Sequence, residues 1–209
     1  MVNQVNQPPV PETELSAMLA AHRLWVHDVA RGTSTPGAAA FDLRNASLAG
    51  LSWTGVNLAE ATLIGCRFEN CTFEACDFSA ALFYGADLSG SVFRACTLRK
   101  AELNDAVCVG TSFAGSDLSR ANFTRADLRG GDLSGADLGA AWLIETDLRD
   151  AILEEVRLTG ARLMRTRIFN SRRFALGPVD NVLVEDVRVD ADGTGPAVSG
   201  PEALSFLRV

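Results

Sequence analysis

Residues 121–140 read ANFTR ADLRG GDLSG ADLGA, and this five-residue pattern runs through most of the chain. Every fifth residue from Leu43 to Ile168 is apolar, 26 times in succession, and the residue two places before each is usually small. An α-helix repeats every 3.6 residues and a simple strand every two, so neither sustains a period of five. The period therefore predicts a repeat architecture built from short units.

A single unit, such as Ala86-Asp87-Leu88-Ser89-Gly90, indicates how each repeat folds. In an extended segment the first and third side chains point to one side and the second to the other. The last two residues must turn the chain, and glycine, which tolerates positive φ, occupies the fifth place ten times. The sequence thus predicts a coiled ladder in which the first and third residues form the core and the others face solvent.

These units resemble the pentapeptide-repeat family, whose pattern is A-(D/N)-L-x-x; Ala121-Asn122-Phe123 and Ala126-Asp127-Leu128 match it directly. The resemblance implies an all-β fold, a right-handed quadrilateral β-solenoid with four units per coil. Residues 41–170 would form about six and a half coils and a rod roughly 30 Å long at ~4.8 Å between stacked strands. Quinolone-resistance members of the family often carry projecting loops, whereas the unbroken phase here predicts none.

The ends of the chain depart from the repeat and divide it into three parts: an N-terminal tail and capping helix (1–40), the solenoid (41–170) and a C-terminal tail (171–209). Residues 12–30 predict an amphipathic helix that caps the open end of the solenoid. Its apolar stripe is Leu15, Met18, Leu19, His22, Trp25, Val26 and Val29. In this stripe we interpret His22 as a packing residue rather than a ligand.

The repeat ends at Arg173, where a charge occupies a core position. Beyond it, residues 182–189 predict a strand and residues 201–209 a short helix. This tail either covers the last coil or forms a dimer contact, and a homodimer is expected because gyrase-directed members of the family join at this end.

All five cysteines fall on inward positions of the repeat. Cys66, Cys71 and Cys76 have a C-x4-C-x4-C spacing, but consecutive units lie on different faces and would not gather three thiolates around one ion. Buried structural thiols are therefore expected, with no metal. Cys76 and Cys96 stack one coil apart, so a disulfide is conceivable, although a cytoplasmic setting disfavours it.

Nothing in the sequence forms a catalytic or cofactor-binding motif. Both histidines lie in the predicted capping helix, and there is no G-x-G-x-x-G, P-loop or H-E-x-x-H. The sequence predicts a protein that is not an enzyme and binds no cofactor. Met1–Val10 lacks the features of a signal peptide and no apolar run is long enough to span a membrane, so we expect a cytoplasmic protein without direct membrane or nucleic-acid contact.

The charge distribution bears on the activity that the family resemblance implies, which is DNA mimicry and binding to DNA gyrase. Residues 41–170 carry 17 acidic and 13 basic side chains, a net charge of −4, whereas 30 Å of duplex DNA carries roughly 18 negative charges. Charge is uneven, however. We define an acidic belt by Asp127, Asp132, Asp137, Asp147 and Asp150, followed by a basic collar of Arg157, Arg162, Arg165, Arg167, Arg172 and Arg173. A solvated surface of mutually compensating charges is the alternative interpretation.

Outward apolar residues form two groups when the units are placed four to a coil. The proximal cluster is Ile64, Leu82 and Tyr84, and the distal cluster is Trp142, Ile144 and Met164. Polar residues separate the two groups on the same predicted face. Clusters on a regular rod indicate a contact surface, and tryptophan is enriched among binding hot spots. The competing interpretation is that the terminal segments pack there.

The sequence therefore predicts a non-enzymatic binding protein. Its most specific form is a DNA mimic that binds DNA gyrase or another type II topoisomerase and gives resistance to an antibiotic or toxin. The alternative is a structural or regulatory interaction module without DNA mimicry, which recognises a protein through the distal cluster.

Overall fold

A computed structural model describes residues 10–169, 181–189 and 197–200 of the 209-residue chain. It shows one N-terminal helix followed by a right-handed quadrilateral β-solenoid of about six turns, which confirms the predicted fold. The helix is α1 (Glu12–Arg31). The strands are β1 (Ser52–Thr54), β2 (Thr72–Glu74), β3 (Val92–Arg94), β4 (Trp142–Ile144), β5 (Arg162–Met164) and β6 (Leu183–Glu185).

Four faces result from the four units of each coil. We call the third residue of each unit its central residue, and we number the faces by the first central residue on each. Face 1 begins at Leu43, face 2 at Leu48, face 3 at Trp53 and face 4 at Leu58. Residues 20 apart are paired in parallel along each face, in the strand ladders β1-β2-β3 on face 3 and β4-β5 on face 1 and as single bridges elsewhere.

The core follows the predicted inward positions closely. Of the 26 central residues only Trp53 is incompletely buried, and Leu51 and Val56 beside it are half-buried too. All 25 fifth-place residues from Asn45 to Arg165 have φ between 50° and 75°, whether or not they are glycine. The fifth place is therefore a left-handed corner in every described unit, as its glycine content predicts.

α1 closes the N-terminal end of the solenoid and confirms the predicted helix. Gly32 ends it in the left-handed conformation, with φ 65°, and its N–H bonds the Asp28 carbonyl. The expectation that Val29 lies on the buried stripe is wrong, because its side chain is 55% exposed. Asp28 is buried instead, and its carboxylate accepts hydrogen bonds from Thr33 Oγ1 at 2.8 Å and from the Thr35 N–H at 2.6 Å.

Part of the C-terminal tail continues the solenoid. β6 pairs with β5 in parallel and lies within the predicted strand at residues 182–189, but the offset along face 1 is now 21 residues instead of 20. Val187 pairs antiparallel with Val198, and the Gly200 N–H donates to the Val184 carbonyl at 2.8 Å, so residues 197–200 cover part of the β6 edge. The predicted end of the repeat at Arg173 and the predicted helix at 201–209 lie outside the described residues.

No helix in the described ranges is both long and apolar enough to cross a membrane.

Candidate functional site

The distal cluster lies on the outer surface of the β4-β5-β6 sheet on face 1. Trp142 is 43% exposed, and Ile144 and Met164 in the adjacent row are half-buried. The Arg162 guanidinium lies over the Trp142 ring, 5.4 Å from its centroid, a cation–π contact. Leu183, which pairs with Arg162 in the next strand, is 48% exposed and extends the cluster. The structure therefore brings the three predicted residues together.

Sequence reasoning missed Arg162 as a neighbour of Trp142 and Leu183 as a member of the same row. The Arg162 contact follows from the 20-residue period, which places residues 142 and 162 side by side. Leu183 could not be assigned to this face from that period, because the offset from Arg162 is 21 residues.

The proximal cluster lies on the same face, closer to α1. Bridges connect Thr62, Leu82, Glu102, Asn122 and Trp142 in one continuous row, so the two clusters share face 1 as predicted. Ile64 and Leu82 are half-buried, whereas Tyr84 is exposed. Burial and the neighbouring Glu102 carboxylate raise the pKa of Tyr84.

Polar side chains form hydrogen bonds with each other in the gap between the proximal and distal clusters. The Asn122 Nδ2 donates to Glu102 Oε2 at 3.0 Å, and the Thr124 hydroxyl donates to Asn122 Oδ1 at 2.6 Å. Face 1 thus carries two separate apolar surfaces divided by a hydrogen-bonded polar band.

The acidic belt does not form one surface. Asp127, Asp147 and Asp150 lie on face 2 and its corner, Asp132 on face 3, and Asp137 on face 4. Asp127 and Asp147 are joined by a parallel backbone bridge on neighbouring coils, and no other two of the five belt aspartates are bridged in this way.

Four of the belt aspartates stabilise the turns of their own units. Their carboxylates accept the backbone N–H two residues further on, from Ser134 at 2.9 Å and Gly139 at 2.8 Å, and from Arg129 and Arg149 at 3.2 Å. This is the Asx-turn geometry that competes with regular secondary structure.

Arginines neutralise much of the belt. Arg129 pairs with Asp127 and Arg149 with Asp147, each at 2.6 Å. Burial alone would raise the pKa of Asp127, but the hydrogen bonds from Arg129 hold it below its ordinary value.

The basic collar also pairs with acids one coil earlier. Arg157 lies 3.7 Å from Asp137, Arg165 lies 2.5 Å from Glu145, and Arg167 lies 3.9 Å from Asp147. No carboxylate among the described residues pairs with Arg162. Arg172 and Arg173 lie outside the described residues, so the collar is known here only from its first four members.

A shallow groove of 440 Å³ runs along the corner between faces 1 and 2, and charges of both signs line it. The column of residues along this corner alternates in sign: Asp105, which lies outside the groove, pairs with Arg125 at 2.6 Å, and Glu145 pairs with Arg165 on the next two coils. The three arginines and three carboxylates that line the groove therefore sum to zero net charge.

The cysteines are buried and free, as predicted for structural thiols. Sequence reasoning missed a hydrogen bond that this position allows. Ser, Thr and Cys side chains at the first place of a unit donate to the main-chain carbonyl 23 residues earlier. Examples are Cys71 to Leu48 at 3.0 Å and Thr111 to Leu88 at 2.7 Å. Within the described ranges no group of three His, Cys, Asp or Glu side chains could hold a metal ion.

His22, on α1, packs against the first coil. Its ring is fully buried, it stacks on Trp25 with centroids 5.4 Å apart, and Nδ1 accepts the Phe41 N–H at 2.9 Å. Burial lowers the pKa of His22. These contacts are those of the packing residue that the sequence predicts.

Two family models match the sequence, one described as a pentapeptide repeat region over residues 57–143 and one as pentapeptide repeats (8 copies) over residues 132–168. A search of curated proteins finds no match.

Several solved structures are similar. Full-length QnrB1, a plasmid-mediated fluoroquinolone resistance protein, is 17% identical with a TM-score of 0.36, and the match covers 80% of this chain and 93% of QnrB1. A pentapeptide repeat protein from the Arabidopsis thaliana thylakoid lumen is 24% identical with a TM-score of 0.33, over 63% of this chain and 83% of that one. HetL from Nostoc sp. strain PCC 7120, involved in heterocyst differentiation regulation, is 22% identical with a TM-score of 0.21, over 87% and 95%.

Proposed function

The chain belongs to the pentapeptide repeat family, and we propose that it is a non-enzymatic protein that binds a partner protein through the distal cluster on face 1. The observation that carries the proposal is the exposed Trp142, held on a three-stranded sheet with the Arg162 guanidinium over its ring. A rigid platform lowers the entropy lost on binding, because its side chains are already ordered.

The chemistry of the cluster defines the partner surface. Trp and Arg are the residue types most enriched at binding hot spots. Arg162 has no carboxylate partner among the described residues, whereas Arg157, Arg165 and Arg167 each have one. The partner should therefore present apolar side chains to Trp142 and Leu183, and a carboxylate to Arg162.

Site-specific photocrosslinking tests this proposal. A photoreactive residue at position 142, on face 1, should crosslink to a partner protein in the source cells, and one at Ile152, on the opposite face 3, should not. The identified partner, purified, should bind the Trp142→Ala variant at least tenfold more weakly, with the melting temperature nearly unchanged. Crosslinks only to this chain's own terminal segments, or a large loss of stability, would show that the cluster is a packing surface.

A second candidate is the DNA mimic that binds DNA gyrase. Two stacked pairs of aspartates favour it, Asp127 with Asp147 and Asp117 with Asp137, because they line up carboxylates along the rod at the ~4.8 Å strand spacing. The ion pairs with Arg129, Arg149 and Arg157 weigh against it, since they remove much of the exposed negative charge.

Gyrase supercoiling assays decide the second candidate. The purified protein at low micromolar concentration should inhibit supercoiling or reduce quinolone sensitivity, and Asp117→Asn/Asp137→Asn should weaken that effect. If both activities stay unchanged, the mimic is excluded and the protein-binding proposal stands alone.

For both candidate functions we propose that the protein is cytoplasmic and forms a homodimer. Cell fractionation would test the localisation, and sedimentation equilibrium would test the dimer.

A further inference from the structure

Two of the five buried cysteines lie side by side. Cys76 and Cys96 occupy the same inward position on successive coils, next to the bridge between Asp77 and Thr97, and each is 2% exposed. Each thiol donates to the main-chain carbonyl 23 residues earlier, Cys76 to Trp53 at 3.5 Å and Cys96 to Phe73 at 3.4 Å. The other three cysteines have no cysteine at the equivalent position one coil before or after; for Cys71, for example, those positions hold Leu51 and Ser91.

We propose that Cys76 and Cys96 are a redox-sensitive pair that a peroxide-class oxidant converts into a disulfide joining two successive coils. Adjacent strands lie ~4.8 Å apart, which falls within the 4.4–6.8 Å range of Cα separations that disulfides span. The spacing of successive coils therefore meets the Cα requirement for a disulfide.

The chemistry balances with one peroxide. Cys76 gives up its proton and the thiolate attacks a peroxide oxygen; the O–O bond breaks, Cys76 becomes a sulfenic acid, and the leaving hydroxide takes up that proton to form the first water. Cys96 sulfur then attacks Cys76 Sγ, the S–O bond breaks, and the second water carries away the hydroxyl and the Cys96 proton. Two thiols lose two electrons in total and the peroxide gains them.

The order of the two steps follows from the environment of each thiol. The neighbouring Cys96 thiol lowers the pKa of Cys76 to about 7, whereas the neighbouring Cys76 thiol and burial raise the pKa of Cys96. Because Cys76 also lies one coil nearer than Cys96 to the half-buried Leu51, Trp53 and Val56, it is the thiol that ionises and attacks first.

The core is least sealed on face 3 of the first coil, one coil before Cys76. Leu51, Trp53 and Val56, one coil before Cys76, are the three inward residues of the repeat that remain half-buried. Cys76 Sγ lies against this least sealed part of the core, 3.5 Å from the Trp53 carbonyl. A small oxidant needs to pass only this coil to reach Cys76.

Oxidation followed by peptide mapping tests the proposal on the full chain. After hydrogen peroxide treatment and tryptic digestion, the peptide Phe68–Arg94 should be disulfide-linked to Ala95–Arg99, and dithiothreitol should separate them. Because Phe68–Arg94 contains both Cys71 and Cys76, the Cys71→Ser variant is the matched control, and it should give the same linked pair. The oxidised protein should also melt several degrees higher, because the disulfide restricts the unfolded chain.

Three results would overturn the proposal. One is recovery of both peptides unlinked after peroxide treatment of a protein that remains folded. A second is loss of the linked pair in Cys71→Ser, which would assign the bond to Cys71. A third is a linked pair that forms only in urea, which would show that the folded core does not allow the reaction. Cys96→Ser, which should abolish the linkage and the rise in melting temperature together, serves as the negative control.

Discussion

The two halves of the rod share one backbone but are stabilised differently. From Phe41 to Phe123 the core is built around aromatic rings, with Phe73 and Phe93 4.8 Å apart and Phe93 and Phe113 stacked at 5.0 Å. Beyond Phe123 the described central residues are leucines, isoleucine and valine, and arginine–carboxylate pairs cover the outside. The corner geometry is the same in both halves, with φ 50° at Ala95 and 55° at Ala140.

This difference shows that the repeat separates stability from recognition. Central residues can vary between Phe and Leu because each contacts its equivalents in the neighbouring coils. Outward residues are free to vary independently, which lets the distal half expose Trp142 without disturbing Leu143 beneath the sheet.

The largest effect should come from cutting the aromatic stack. Phe93→Ala is expected to lower the free energy of unfolding by about 4 kcal/mol, because it removes a fully buried ring and three ring contacts. Leu133→Ala, on the same face of the distal half, should cost about 3 kcal/mol. Chemical denaturation measures both, and a larger loss for Leu133→Ala would reverse the proposed division between the halves.

The N-terminal end of the aromatic half should respond to pH through His22. Because burial lowers the pKa of His22, the folded state favours the neutral ring, whose Nδ1 accepts the Phe41 N–H. Its contribution to stability is therefore complete above the unfolded value of about 6.5 and is lost as pH falls through the lower folded-state value.

His22→Gln should remove this pH dependence, since a glutamine carbonyl can accept the Phe41 N–H without titrating. His22→Ala should lower the free energy of unfolding by about 1–3 kcal/mol at neutral pH, because it leaves that N–H buried without an acceptor. The control is His27→Gln on the exposed side of α1, and melting temperatures between pH 5 and 8 are the measurement. An unchanged acid response in His22→Gln would assign the effect to other groups.

Much of the fold was predictable because a period of five fixes which residues point inward. That rule predicted the core and the left-handed corners, and it assigned both apolar clusters, including Trp142 and Ile144, to face 1. It does not apply to α1, where side-chain hydrogen bonds decide which residue is buried. Val29 is exposed because Asp28 turns inward to accept hydrogen bonds from Thr33 and Thr35.

Other features depend on contacts between coils that a single unit does not contain. Thr111 donates to the Leu88 carbonyl across a coil, a bond that its small size alone does not indicate. The acidic belt is contiguous in sequence but divided among three faces, since consecutive units turn a corner. Partner binding was not predictable beyond the cluster itself, because the repeat constrains only the inward positions.

The shared backbone of the two halves can be tested at the corners. Ala95→Gly and Ala140→Gly should each stabilise the protein by about 0.5–1 kcal/mol. The left-handed conformation costs alanine free energy that glycine does not pay, and this gain is larger than the loss from the greater unfolded-state entropy of glycine. Gly110→Ala, where a Cβ meets nothing within 4 Å, should destabilise it by about 1 kcal/mol. Different gains at residues 95 and 140, measured by denaturation, would mean that the two halves differ in backbone as well as in side chains.

The smallest effect should come from the ion pairs, which are more numerous in the distal half, and the pair between Arg125 and Asp105 joins the two halves. Arg125 makes a bidentate contact with Asp105, at 2.7 and 2.6 Å, and the hydrogen bonds from Arg125 lower the pKa of that carboxyl. Both side chains are more than half exposed, and exposed pairs contribute only about 0.2–1 kcal/mol. Arg125→Gln should therefore cost less than about 1 kcal/mol.

Salt dependence separates this pair from the core. The loss caused by Arg125→Gln should shrink toward zero in 1 M NaCl, where screening acts within ~3 Å, whereas the loss from Phe93→Ala should persist. Arg149→Gln is the matched comparison, because its partner Asp147 is only 15% exposed and its loss should be larger and less sensitive to salt. If neither loss changes with salt, these arginines stabilise the rod through packing of their aliphatic stems, and charge pairing is not what distinguishes the distal half.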